Sequence, residues 1–592
     1  MKDFMKMVGA TILGILLTSI VMFLFAIIGL AGVTASEGAT SVDDNTILRI
    51  NLNGTLSERS EANPLALLNG GNEGLALDEI LEAIEKAAKN DDVLGIYLEG
   101  GNLSGSPAML QELRQALVRF KKESKKFVVA YADTYSQSSY YVCSMADEVA
   151  LNPSGQLDWH GLGAELMFYT DVMKKLGIKM QVYKVGTFKS AVEPYINIEM
   201  SEPNRQQVTS YLTSIWNNML KDVAADRKIS ADRLNALADT MLTFATPDLL
   251  LKEKMIDRVN YKDEVRDFLK EKVGFDEDDQ LVFASPAVMA HTTGNVEKHS
   301  DCIAVYYAYG DIVDNLSTGL NGGGEGGIAP EPMNTELQKL LKDKSIKAVV
   351  IRVNSGGGSA YASEQIWRQI SLLKAEKPVV ISMGGMAASG GYYISCNASR
   401  IVAEPTTITG SIGIFGMIPD ASELLTEKIG LHYDMVKTNK HGDFGTMSRP
   451  MNEDEGRIVQ RHVEQGYDLF TRRVAEGRKI SQDSVKVIGE GRVWTGEQAL
   501  KIGLVDELGD LQTAIKAAAK LAKISDYCLA SYPAPKSWFE QLLGNDDDQS
   551  GFLESQLKNS LGEWYEPFQW LRDAKHQNPI QARMPYHLII RN

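Results

Sequence analysis

SQSSYYVCSMADEVALNP (136–153) and ASGGYYISCNASRIVAEP (388–405) are one stretch written twice, with the Tyr-Tyr pair and the closing proline at a constant offset of 252 residues. The flanks repeat as well. Upstream, ILRINLNGTL (47–56) parallels IAVYYAYGDI (303–312), Gly54 matching Gly310, and VLGIYLEG (93–100) parallels AVVIRVNS (348–355). Downstream, GTFKSAVEP (186–194) parallels GDFGTMSRP (442–450), glycine and proline eight apart in each. The period is far longer than the roughly 20–50 residues of a solenoid unit. Each copy alternates β-branched runs (FVVAYAD, KPVVIS, IKAVVIRV) with helix-period stretches such as PAMLQELRQALVRFKKE and SEQIWRQISLLKAE. Such alternation implies α/β layers with largely parallel strands.

The predicted organisation is a first repeat at 45–300 and a second at 301–535. The glycine-rich NLSTGLNGGGEGGIAPEP (315–332) inside the second reads as a mobile loop. Residues 536–592, with the acidic GNDDDQ and several Trp and Phe, carry no assignable role. At 592 residues the chain exceeds one core, and 44% hydrophobic with 23% charged residues excludes wholesale disorder. A net charge of −16 disfavours nucleic acid as a partner, since phosphates could not be neutralised in bulk. The eight histidines lack ligand spacing, so no metal or other cofactor is expected. Cys143, Cys302, Cys396 and Cys528 form no C-x-x-C; a disulfide is permitted outside the cytoplasm but not demanded by the spacing.

Between Lys6 and Glu37 there is no charged residue, and the apolar run is longer than a typical signal-peptide core. It reads as a retained transmembrane anchor within residues 1–36. Lys2 and Lys6 before it, with Glu37, Asp43 and Asp44 after it, put the N-terminus in the cytoplasm and the body outside.

The copies differ where chemistry would sit. Ser389, set between strand-like KPVVIS and GGYY, aligns with Gln137 in the first copy. Lys189 aligns with Gly445 in the second. One copy has the hydroxyl and the other the amine, and a lysine whose pKa is lowered by burial can serve a serine as base. A single site shared between the repeats accounts for both losses. Two other bases stay open: Lys440, through a second V-x-T-x-K register, and a histidine, of which His432, His441 and His462 are candidates. Gly357 or Gly358 in NSGGGSAYASE, together with Gly390, can supply backbone N–H donors for an oxyanion. Ser411, in TITGSIGIFG, can orient the amine; the first copy has Trp159 near this register.

VGTFKSAVEP, RVNSGGGSAYASE, MAASGGYY and TGSIGIFG together resemble the S49 class of serine peptidases, in the long bacterial form of the signal peptide peptidase A family. The resemblance implies two tandem Clp protease/crotonase-like α/β repeats after the N-terminal transmembrane helix. It implies a Ser/Lys dyad of Ser389 and Lys189, Ser411 positioning the lysine, and oxyanion donors from Gly357, Gly358 and Gly390. It further implies a homotetramer on the bacterial inner membrane, its catalytic body periplasmic, acting on cleaved signal peptides. Gly356 stands where the family has proline, which should loosen that turn. Two other readings remain: a crotonase-like acyl-CoA enzyme, and a membrane scaffold whose repeats have decayed.

Overall fold

The computed structural model describes residues 41–59, 75–276, 278–292, 300–316, 327–534, 580–584 and 590–591. The expected anchor and most of the glycine-rich loop lie outside the described residues. Among those described, no helix is long and apolar enough to cross a membrane.

The runs that read as strands from their β-branched content are strands, and most are buried on both faces. Ile346–Ser355 leaves only Lys347 and Asn354 partly exposed. Burial on both faces is what a parallel sheet covered by helices requires. In the first repeat the order is Leu75–Ala76, Thr46–Ser57, Val93–Ser104, Phe127–Tyr135, Glu148–Leu157, Arg258–Val259. Val282–Ala284 also pairs with Thr46–Ser57, and every pairing in this sheet is parallel. In the second repeat Cys302–Tyr309, Ile346–Ser355, Val379–Ala388, Arg400–Ala403 and Glu507–Leu508 follow one another in the same sense. Cys528–Tyr532 flanks Cys302–Tyr309 just as Val282–Ala284 flanks Thr46–Ser57.

The duplicated Tyr-Tyr pair has a duplicated job. Tyr140 donates to the Met255 carbonyl at 2.8 Å, and Tyr392 to the Leu504 carbonyl at 2.9 Å. Each ties the short helix after the third long strand to the turn that leads into the last strand of its row. Asp257 and Asp506 then accept from Val149 N and Ile401 N at 2.8 and 2.7 Å, closing the same loop in each copy.

The repeats are locked together by buried charge. Arg352 of the second donates to Glu58 at 3.0 Å and to Glu112 at 2.5 Å, both carboxylates coming from the first, and all three side chains are buried. Removing one partner of such a set strands the others and typically costs about 3–5 kcal/mol. Cys302 and Cys528 form a disulfide between neighbouring strands, a pairing their spacing had not required; Cys143 and Cys396 are free and buried.

A third, smaller sheet mixes the repeats. Its order is Gly327–Ile328, Asp311–Ile312, Gly357–Ser359, Ile580–Arg583, Phe415–Asp420, Lys179–Lys184. The last strand belongs to the first repeat yet pairs antiparallel with Phe415–Asp420 of the second, from Lys184 opposite Phe415 to Lys179 opposite Asp420. This crossing carries the chain into the neighbouring repeat five residues before Lys189.

Candidate active site

Ser389 ends the strand Val379–Ala388 and starts the helix Gly390–Ser395, its carbonyl accepting from Tyr393 N at 2.8 Å. Its φ of 55° and ψ of −113° are unusual for a residue with a side chain. Strain of this kind costs about 1–3 kcal/mol and persists only where the surroundings enforce it. Here Ser389 N is held by the Gly410 carbonyl at 2.8 Å. The side chain is thereby aimed off the strand end, the geometry of a strand-to-helix nucleophile elbow.

Lys189 reaches it from the other repeat. Nζ lies 2.8 Å from Ser389 Oγ, 3.1 Å from Ser411 Oγ and 3.2 Å from the Ser411 carbonyl. Lys189, Ser389 and Ser411 are all fully buried. Burial alone holds the amine well below the ordinary lysine range, and no carboxylate is among its hydrogen-bond partners. A neutral amine has two N–H groups and one lone pair. With the amine neutral, two donations to the Ser411 oxygens leave the lone pair free to accept the Ser389 hydroxyl proton.

Several residues that hold the lysine were not legible beforehand. Its aliphatic stem runs beside Gly413, where an added Cβ would come within 3.1 Å of Lys189 Cδ. At Gly491, which has φ +78°, a Cβ would come within 2.6–2.7 Å of Lys189 N, Cα and Cβ. Only glycine lets the two chains approach this closely. Gln207 donates to the Phe188 carbonyl at 3.1 Å and to Ser190 Oγ at 2.9 Å, while its own oxygen accepts from Val493 N at 3.2 Å. One amide thus staples the lysine segment to the second repeat.

Of the expected glycine donors, Gly357 has its N–H directed at Ser355 Oγ, 3.1 Å away, while Gly358 stands opposite Ala582 in the small sheet. The glycine backbones are crowded together: a Cβ on Gly390 would come within 3.0 Å of Gly357 Cα. Gly356, which replaces the family's proline, has no positive φ; its neighbour is fixed by the Ser355 hydroxyl.

The other candidate bases lie elsewhere. Lys440 pairs with Asp454 at the surface, and His432, His441 and His462 are exposed. In the first repeat the matching positions are filled. Gln137 donates to the Gly161 carbonyl at 2.9 Å and accepts from His160 N and Gly161 N, and Trp159 is buried with its indole N–H on the Leu234 carbonyl. Among the described residues there is no cluster able to hold a metal ion.

A family model for peptidase family S49 matches twice, over residues 120–276 and 371–525, once in each repeat. The chain belongs to that family and is a serine peptidase. Its relatives include Protease 4 of Salmonella typhi, 34% identical over 82% of this chain and 78% of that protein. Protease 4 of Haemophilus influenzae is 33% identical over 86% and 84%. The chloroplastic serine protease SPPA of Arabidopsis thaliana is 32% identical over 82% and 70%. In solved structures, a ClpP1 mutant from Listeria monocytogenes aligns with 36% of this chain and 94% of its own, at 16% identity and a TM-score of 0.24. Peptidase chemistry takes the place of the acyl-CoA and scaffold readings.

Proposed function

We infer that the protein is a membrane-anchored endopeptidase whose Ser389–Lys189 dyad, divided between the two repeats, degrades released signal peptides and other short apolar peptides. The observation that carries the reading is the 2.8 Å separation of Lys189 Nζ and Ser389 Oγ in a pocket without a counter-charge. In the reaction, the neutral Lys189 amine takes the hydroxyl proton as Ser389 Oγ attacks a peptide carbonyl. The N–H groups of Gly358 and Gly390 receive the oxyanion. The lysine ammonium, steadied by Ser411, gives its proton to the leaving amine. Water then enters and attacks the acyl carbon as it loses a proton to the Lys189 amine, and the lysine returns that proton to Ser389 Oγ as the acyl group leaves as the carboxylic acid. Gly357 serves this site by its close approach to Gly390, not by its own N–H.

The apolar run before Glu37 supports anchoring in a bacterial inner membrane with the body on the periplasmic side. The Cys302–Cys528 disulfide suits that oxidising compartment. Each repeat is read as Clp protease/crotonase-like. Assembly into a homotetramer is supported by Leu431, Tyr433, Met435 and Val436 of the second repeat, exposed in the segment that corresponds to the first repeat's crossing strand. A second copy of this chain can cover them.

Turnover of a synthetic apolar signal-peptide core tests the dyad. Ser389→Ala and Lys189→Ala are each expected to lower kcat by about 10³-fold or more, as loss of a nucleophile or its base does elsewhere. Near-normal turnover by either variant contradicts the reading.

A further inference from the structure

The strand Ile580–Arg583 lies between Gly357–Ser359 and Phe415–Asp420 and runs antiparallel to both. An extended peptide would fill such a slot by strand addition. Ala582 stands opposite Gly358. Its carbonyl oxygen is the nearest atom that a Cβ on Gly357 would meet, and it would lie 3.0 Å from a Cβ on Gly390. Met584 N donates to the Gly356 carbonyl at 2.6 Å. The alternation of an antiparallel ladder then makes Gly358 and Ala582 the next hydrogen-bonded pair. The Ala582 carbonyl therefore takes the N–H that would hold an oxyanion.

The side chains alternate as those of a bound peptide would. Ala582 is buried in the core of the second repeat, Ile580 packs against that core, and Met584 is buried in the core of the first. Arg583 pairs with Asp311 at 2.6 Å.

A second contact repeats the first. Ile590–Arg591 pairs antiparallel with Gly163–Ala164. Those two residues precede Phe415 and Gly416 by the same 252 positions that separate the repeats. The register also agrees: Ile590 faces Ala164 as Ile580 faces Gly416, and Arg591 faces Gly163 as Gln581 faces Phe415. One C-terminal segment lays a strand on the equivalent edge of each repeat.

We propose that the strand Ile580–Arg583 is a built-in competitive ligand, filling the peptide groove of the second repeat, while Ile590–Arg591 hooks the same segment to the matching edge of the first. This rests on the peptidase reading of the groove. An incoming peptide must displace the tail, so its apparent affinity is reduced by the fraction of molecules in which the groove is closed. The occupant also gives the groove's taste: an extended backbone, a small residue opposite Gly358, and apolar residues two positions to either side.

The test uses the full chain carrying Ser389→Ala, so that nothing is hydrolysed, and a fluorescent synthetic peptide with the sequence of residues 578–585. Ala582→Pro removes the N–H that pairs with Gly358, and Ile590→Pro weakens the second hook. Anisotropy is expected to give at least tenfold tighter peptide binding with Ala582→Pro than without it, and a smaller gain with Ile590→Pro. Equal affinity in all three chains, or binding in none, overturns the proposal. These measurements need no catalysis, so they stand apart from whether Ser389 and Lys189 react. In the chain that keeps Ser389, Ala582→Pro is expected to lower the apparent KM for an apolar peptide by a similar factor; an unchanged KM counts against the tail.

Discussion

Lys189 is a cation-forming group in a place where burial disfavours the cation. Its contacts are three serine oxygens, and desolvation has nothing to oppose it. The consequence reaches beyond catalysis. Between the lowered native pKa and the ordinary value near 10.4, the unfolded chain binds a proton that the native chain does not. Stability therefore falls as pH drops through that window and levels off below the native pKa. Lys189→Met keeps the stem and abolishes the proton site. Its melting temperature is expected to exceed that of the wild type at pH 7, with the difference shrinking as pH rises towards 10.5. Thermal melts at several pH values check this, and a difference independent of pH contradicts a depressed amine.

At the scale of elements, the strand Lys179–Lys184 and the glycines beside it make the site possible. The strand crosses to Phe415–Asp420, and Gly413 and Gly491 leave room for the lysine behind it. Gly491→Ala places a methyl against the Lys189 backbone and is expected to lower kcat/KM by roughly 10²-fold, since a displacement near 1 Å has that effect. Gly503→Ala is the control. Its φ of +80° carries the same conformational cost, but an added Cβ meets nothing within 4 Å, so activity per folded molecule should hold. Equal losses in the two variants would remove the steric account.

Much at this scale was legible in the sequence. The repeats, the parallel strands and the Gln137/Ser389 and Lys189/Gly445 contrasts all come from comparing one copy with the other. The crossing strand was not, because KMQVYK carries no mark of which sheet edge it will meet, and partner choice is a tertiary matter. Gly413, Gly491 and Gln207 were missed for a related reason: the two glycines are defined by Lys189, more than 200 residues away, and Gln207 by its contact with Val493, 286 positions on. The Ile580–Arg583 strand is four residues long, too short for alternation to stand out from its surroundings.

For the molecule as a whole, the two repeats share one frame and only between them hold a complete serine–lysine pair. The first frame has Gln137 at the hydroxyl position and Trp159 at the Ser411 position but carries the lysine; the second carries the serine and the glycine turn. The buried Arg352–Glu58–Glu112 set fixes the repeats against each other, so the two halves of the site cannot drift apart independently. The most direct measurement is the rate at which an activated peptide ester acylates the protein, followed by intact mass and peptide mapping from pH 6 to 10 in the wild type and in Lys189→Ala. The adduct is expected on Ser389, its rate rising through one ionisation well below 10.4 in the wild type and falling about 10³-fold in the variant. Acylation of Ser389 at the same rate and with the same pH profile in both proteins would show that the lysine of the first repeat is not the base of the second.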